Sequence, residues 1–85
     1  DKSEAEIRET QNRVFEAFPK DRYDHIDTYF KDFDGNRLAY LGKSIMEGLS
    51  KADIAVFCSN WEQYDGCRCE HFIAAQYKIP CAYVR

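Results

Sequence analysis

The feature that most constrains the fold is a short apolar run followed, after a polar loop, by an amphipathic helix. Residues Ile54–Cys58 are apolar and lie between Asp53 and Asn60, which is typical of a buried parallel strand. The Ser59–Asp65 loop leaves the carboxyl end of this strand, and a helix begins near Gly66. In open α/β sheets, that end of a strand borders the crevice in which ligands bind.

The helix after this loop carries one carboxylate between two small residues. Gly66, Glu70 and Ala74 are spaced four residues apart and therefore share one helical face. The small side chains let the helix approach the sheet closely, which aims the Glu70 carboxylate at the crevice above the strand ends. A structural alternative stays open, because the helix dipole also favours a carboxylate near a helix amino terminus.

Helical and strand patterns alternate along the whole chain. A capping box at Ser3-Glu4-Ala5-Glu6 marks the start of the first helix. The predicted elements are a helix from Ser3 that Pro19 ends, a strand within Tyr23–Phe30 centred on His25-Ile26-Asp27, a helix over Arg37–Lys51, the Ile54–Cys58 strand, a Gly66–Tyr77 helix and a strand at Cys81–Val84. This order predicts a single α/β domain over residues 1–85, with a parallel sheet of three strands covered by helices.

Composition excludes several classes of partner. The net charge of −3 leaves no basic footprint for nucleic acid or for an anionic membrane surface. No apolar run approaches the roughly 18–20 residues of a membrane span, and the first residues resemble a charged helix rather than a signal peptide. We expect a cytoplasmic protein. A chain of 85 residues has a modest core and leaves apolar surface to cover, so we also expect a homo-oligomer.

Short motifs along the chain carry a family resemblance. They are His25-Ile26-Asp27, Tyr40-Leu41-Gly42-Lys43-Ser44, Ala52-Asp53, Trp61-Glu62, Gly66-Cys67-Arg68-Cys69-Glu70-His71 with Ala74, and Ile79-Pro80. Their joint spacing resembles the nucleoside 2-deoxyribosyltransferase-like superfamily, which includes deoxynucleotide N-glycosidases, and most closely its small phage and bacterial members. The resemblance implies a three-layer, flavodoxin-like or Rossmann-like parallel sheet with a site for a nucleoside or nucleotide.

The resemblance also implies a role for Glu70. In the enzymes of this superfamily, the matching Glu attacks the anomeric carbon and forms a glycosyl-enzyme intermediate that water or another base resolves. We therefore expect Glu70 to be the catalytic residue. No cofactor and no metal ion is expected. The expected substrate-binding residues are Asp53, Ser59, Asn60, Trp61, Tyr64, Asp65 and Gly66.

Departures from the superfamily pattern leave a second interpretation open. The enzymes place an Asp on the preceding helix, where this chain has Ile45, and transferases place an Asp six residues before the nucleophile, where it has Tyr64. The alternative is a non-catalytic nucleotide-binding module or an oligomeric interaction module. Superfamily members also begin with a short strand that nothing before Asp1 supplies. We expect either a longer protein or a strand that comes from elsewhere.

Other readings of the candidate site residues also stay open. Asp53 is expected to cap or pair locally, and Asp65 is expected to be the N-cap of its helix, worth about 1 kcal/mol. Trp61 and Tyr64 either stack on a base, worth about 1–3 kcal/mol, or fold over the core.

The four cysteines have poor spacing for a zinc site and are expected to stay reduced. They are Cys58, Cys67, Cys69 and Cys81.

Overall fold

The computed structural model describes residues 3–85, which form three α-helices and two β-strands. In chain order these are α1 (Glu4–Ala17), α2 (Arg37–Glu47), β1 (Ala55–Cys58), α3 (Asp65–Gln76) and β2 (Cys81–Val84). Single 3-10 turns follow α2 and β1, at Leu49–Lys51 and Trp61–Gln63. The α/β class predicted from the alternating pattern is confirmed. No helix within residues 3–85 has both the length and the apolar character needed to cross a membrane.

Helix α1 begins where the capping box predicts. The Ser3 hydroxyl accepts a hydrogen bond from the Glu6 backbone N–H, and the Glu6 carboxylate accepts one from the Ser3 N–H, both at 3.2 Å. The two bonds satisfy backbone donors that a helix start otherwise leaves unpaired. The helix ends at Ala17, shortly before Pro19, because a proline disfavours helical geometry in the residue before it.

Strands β1 and β2 form a parallel pair. Ala55 lies opposite Cys81, and Cys58 lies opposite Val84. Parallel strands need a long crossover connection, and α3 supplies it.

The core is small and centres on α3. Ala74 is fully buried, and Leu49, Ala55 and Phe57 are the other buried members of its cluster. Partly buried side chains extend this cluster, namely Trp61, Ile73, Ile79 and Cys81. Because so few apolar side chains are fully removed from water, single packing faults in this domain have large relative effects on stability.

The strand predicted within Tyr23–Phe30 is wrong. This segment forms no ladder, and the sheet within residues 3–85 has two strands rather than three. Polar groups of the segment find local partners instead. The Asp27 carboxylate accepts from the Tyr29 N–H at 2.9 Å, and the Phe30 N–H donates to the Tyr40 hydroxyl at 3.0 Å. Such side-chain bonds to the backbone compete with strand pairing.

Helix α2 is shorter than the predicted Arg37–Lys51. It ends at Glu47, and the chain continues as a 3-10 turn over Leu49–Lys51. Gly48 lies at the junction, where a Cβ atom would be 2.3 Å from the Thr28 Cγ2 atom. The close approach of the two segments therefore depends on a residue without a side chain.

Candidate functional site

An open cleft of about 1660 Å³ lies between α1, the segment from residue 20 to residue 36, α2, β1 and the first turns of α3. Each of these elements contributes to its walls. Lining residues include Thr10 from α1, Tyr40 and Ser44 from α2, Cys58 from β1, and Tyr64 and Glu70 from the region of α3. The carboxylate singled out in the sequence thus faces a cavity large enough for a small-molecule ligand.

The Glu70 carboxylate is tethered to the cleft wall. Its Oε2 atom accepts a hydrogen bond from the Ser44 hydroxyl on α2, at an O–O distance of 3.0 Å. Ser44 is only 5% exposed, and Glu70 is partly buried. The bond joins α2 to α3, so the carboxylate is held at the wall rather than extended into bulk solvent.

The two small residues that flank Glu70 on α3 have different surroundings. Ala74 is fully buried in the core cluster, as expected for close packing of the helix. At Gly66, however, a Cβ atom would meet nothing within 4 Å. The helix is therefore closely packed at Ala74, on the carboxyl-terminal side of Glu70. Close packing does not explain why residue 66 is a glycine.

Trp61 packs inward from the loop after β1. Its ring stacks on His71, with ring centroids 4.0 Å apart and an interplanar angle of 18°, and its centroid lies 5.8 Å from that of Phe57. Trp61 also lines the cleft. Because His71 covers one face of the indole, a stacked base would have to use the other face.

The structure does not bring all the expected binding residues to Glu70. Ser59 is exposed, Asn60 is partly buried, and neither lines the cleft. Asp53 does line it, but Asp53 precedes β1 whereas the loop follows the carboxyl end of that strand. Six residue steps separate Asp53 from Ser59, a span of up to about 20 Å in extended chain. Asp53 therefore lies at the amino end of β1, whereas the loop and α3 follow its carboxyl end.

Tyr64 connects the cleft to the first turn of α1. Its hydroxyl donates to the Glu6 Oε2 atom at 3.0 Å. This hydrogen bond raises the pKa of Tyr64 above its ordinary value, because the carboxylate favours the protonated phenol. Tyr29 makes the same kind of bond to Glu4, also at 3.0 Å, and the pKa of Tyr29 is raised for the same reason.

The prediction that Asp65 is the N-cap of its helix is wrong. Asp65 is the first residue of α3, and Tyr64 occupies the N-cap position without a side-chain capping bond. The Asp65 carboxylate instead pairs with Arg37, at 3.2 Å, and with Arg68. Two charge-assisted pairs hold the side chain away from the backbone N–H groups it would cap. The hydrogen bond from Arg37 and the charge of Arg68 lower the pKa of Asp65, so it is ionised at neutral pH.

The Asp65 ion pairs predict a specific acid dependence of stability. The pKa of Asp65 in the folded protein lies below the ordinary value of 3.8. The ion pairs therefore stabilise the fold above that pH, and this contribution is lost as the pH falls through the folded pKa. Asp65→Asn should therefore flatten the acid limb of a plot of thermal midpoint against pH, at pH values below the ordinary carboxyl pKa of 3.8. The effect should be small because the pairs are exposed.

The control for this measurement is Asp34→Asn, which removes an exposed carboxylate in the irregular segment before α2. The thermal midpoint of the Asp34→Asn protein should fall with decreasing pH at the same slope as that of the wild type. An Asp65→Asn curve with the wild-type slope would contradict the assigned ion pairs.

The cysteines are four free thiols, of which Cys58 is buried. The Cys58 Sγ atom donates weakly to the Thr10 carbonyl oxygen, 3.9 Å away, at the contact between β1 and α1. Across the part of the chain that the structure describes, no cluster of three or more His, Cys, Asp or Glu side chains is arranged to hold a metal ion.

Ser44 and Arg37 are the site residues that sequence reasoning missed. Ser44 gave a usable signal, because it lies three residues after Leu41 and directly before Ile45, beside the apolar stripe of α2. A polar residue beside that stripe is expected to be buried and to need a hydrogen-bond partner. Arg37 gave no such signal. Its contact with Asp65 depends on the tertiary fold, which brings the first residues of α2 and α3 together.

The cleft thus combines a tethered carboxylate at Glu70, an ionised carboxylate at Asp65 and a protonated phenol at Tyr64. Comparison of this chain with known protein families, with curated proteins and with solved structures finds no match.

Proposed function

We propose that the cleft binds a nucleoside or nucleotide and that Glu70 acts there on the N-glycosidic bond. The observation that carries this proposal is the position of the Glu70 carboxylate, partly buried at the wall of a large cleft and hydrogen-bonded to Ser44. A carboxylate with a purely electrostatic role at a helix start needs neither a cavity nor a buried partner. The resemblance to deoxyribosyltransferase-like enzymes supports the same assignment.

The proposed reaction runs through a covalent intermediate. A Glu70 carboxylate oxygen bonds to C1′ of the sugar while the bond from C1′ to the base nitrogen breaks, and the electron pair of that bond leaves with the base. Water then attacks C1′, releases the carboxylate and yields the free sugar. With another base as the attacking group, the outcome is transfer.

The departing base needs a proton, and the structure limits its source. Asp65 has a lowered pKa and carries no proton at neutral pH. Tyr64 has a raised pKa, and its proton is directed at Glu6. We therefore propose that the proton comes from water, which favours substrates whose bases leave readily.

The proposal includes a wider sheet of the kind that the resemblance implies, and a cytoplasmic location for the protein. The βαβ unit of β1, α3 and β2 would form part of a wider flavodoxin-like, three-layer sheet. The four free thiols suit a reducing cytoplasm.

A ligand screen followed by product analysis tests the proposed function. Deoxynucleosides, ribonucleosides and their phosphates are added separately, and the thermal unfolding midpoint is recorded. Each compound that raises the midpoint is then incubated with the protein, and free base is quantified by chromatography. Stabilisation with base release supports the enzyme, and stabilisation without release supports a binding module. If no compound raises the midpoint or releases base, the nucleoside proposal fails.

An oligomeric interaction module is the second candidate, and a separate observation favours it. Large apolar side chains are strongly exposed on α2, on α3 and just after α3. They are Leu38 at 75%, Met46 at 68%, Phe72 at 64% and Tyr77 at 77%. Where exposed apolar side chains form a contiguous patch, they often mark a protein contact. Light scattering after size-exclusion chromatography, at several concentrations, distinguishes a monomer from a homo-oligomer.

A further inference from the structure

We infer that Ser44 is a positioning residue that fixes the orientation of the Glu70 carboxylate in the cleft. This inference rests on the proposed function for its effect on catalysis. It is carried by the geometry of the cleft wall, in which a buried hydroxyl on one helix donates to a partly buried carboxylate on another.

The hydrogen bond of Ser44 differs from the usual one in a helix interior. Serine within a helix commonly donates to the carbonyl oxygen four residues earlier, which here belongs to Tyr40. The Ser44 hydroxyl instead donates to Glu70 Oε2 at 3.0 Å. A hydroxyl has one proton to donate, so this bond orients Ser44 toward the carboxylate.

The backbone around Ser44 is held in place. The Gly48 N–H donates to the Ser44 carbonyl oxygen at 2.9 Å, and Gly48 lies against Thr28. On the preceding turn, the Tyr40 hydroxyl donates to the Thr28 carbonyl oxygen at 3.2 Å. These contacts attach α2 to the segment before it, so Ser44 offers its proton from a fixed position.

A fixed donor has two consequences for a carboxylate nucleophile. It restricts the Glu70 side chain to the conformations in which Oε2 reaches Ser44. Less conformational entropy is then lost when the nucleophile is oriented for the reaction. It also occupies one of the acceptor positions of the carboxylate and leaves the charge in place. Loss of this bond should therefore lower kcat and leave KM nearly unchanged, because substrate contacts made elsewhere in the cleft persist.

Three variants test this inference kinetically. Ser44→Ala removes the hydroxyl and should lower kcat about ten- to a hundredfold, the range expected for a hydrogen bond to a charged group. Ser44→Thr keeps a hydroxyl and should recover most of that loss. The matched control is Ser50→Ala, because the Ser50 hydroxyl donates to the Met46 carbonyl oxygen, at 2.6 Å, and not to a carboxylate. Ser50→Ala should leave kcat unchanged.

Two kinetic results would overturn the inference. One is a Ser44→Ala protein that unfolds at the wild-type temperature and keeps the wild-type kcat. The other is a folded Ser44→Thr protein that is no more active than Ser44→Ala.

A second measurement does not depend on activity. Three-bond NMR couplings of the Glu70 side chain should show one dominant χ1 rotamer in the wild type and rotamer averaging in Ser44→Ala. Averaging already present in the wild type, or equal order in both proteins, would overturn the inference. If no nucleoside is cleaved but this change in order occurs, the proposed function fails while the positioning of Glu70 by Ser44 stands.

Discussion

Replacing Glu70 with Gln is expected to lower the rate of base release by roughly a thousandfold or more. The amide has almost the same shape as the carboxylate and can still accept a hydrogen bond from Ser44. It lacks the charge and the nucleophilic oxygen that the covalent step requires. Release of free base from a saturating deoxynucleoside, measured by chromatography, gives the rate, and circular dichroism with thermal unfolding reports the fold.

The matched control for this prediction is Glu62→Gln. Glu62 lies in the 3-10 turn after β1, is exposed and does not line the cleft. Its replacement makes the same chemical change close in sequence to Glu70 and should leave turnover unaltered. Wild-type turnover in a folded Glu70→Gln protein would exclude Glu70 as the nucleophile, whatever else the cleft binds.

Gly48→Ala is expected to produce the largest loss of stability from a single added methyl group, about 1–3 kcal/mol. A Cβ atom at this position would lie 2.3 Å from Thr28 Cγ2 and 2.8 Å from the Ser44 carbonyl oxygen. The second neighbour is backbone, so it cannot rotate away. Free energies of unfolding from urea titrations measure the effect.

Two further variants make the Gly48 measurement specific. Gly42→Ala adds the same methyl group inside α2, where nothing lies within 4 Å, and should raise stability by up to about 1 kcal/mol. Adding Thr28→Ser to Gly48→Ala removes the closest clashing atom and should restore part of the loss. Equal stability of the Gly48→Ala and wild-type proteins would show that the two segments are not in tight contact.

Helix α1 was predictable because its signals are local. Ser3 and Glu6 form a capping box three residues apart, and Pro19 marks the end of the same helix. The strand at Cys81–Val84 was predicted with the bounds that the structure has, because an apolar run follows a proline there. The signals used for these elements lie within a few residues of each element, where a sequence displays them directly, although the strand itself pairs with the distant β1.

The failures concern features that depend on distant partners. A strand within Tyr23–Phe30 would need a neighbour to pair with, and its apolar and aromatic content does not reveal whether one is present. The same reason explains the missed contacts of the cleft, since Ser44 and Glu70 are 26 residues apart in sequence and Arg37 and Asp65 are 28 apart. The carboxylate could be selected from its sequence pattern. The position of Ser44 beside the apolar stripe of α2 indicated a buried hydroxyl, but not that Glu70 is its partner.

The stacked pair of Trp61 and His71 gives the cleft an internal optical reporter. The sequence contains one tryptophan, so the indole fluorescence of the protein comes from a single side chain. That side chain lines the cleft and stacks on an imidazole. Movement of the loop, or a molecule entering beside it, will change the emission intensity or wavelength without any label attached.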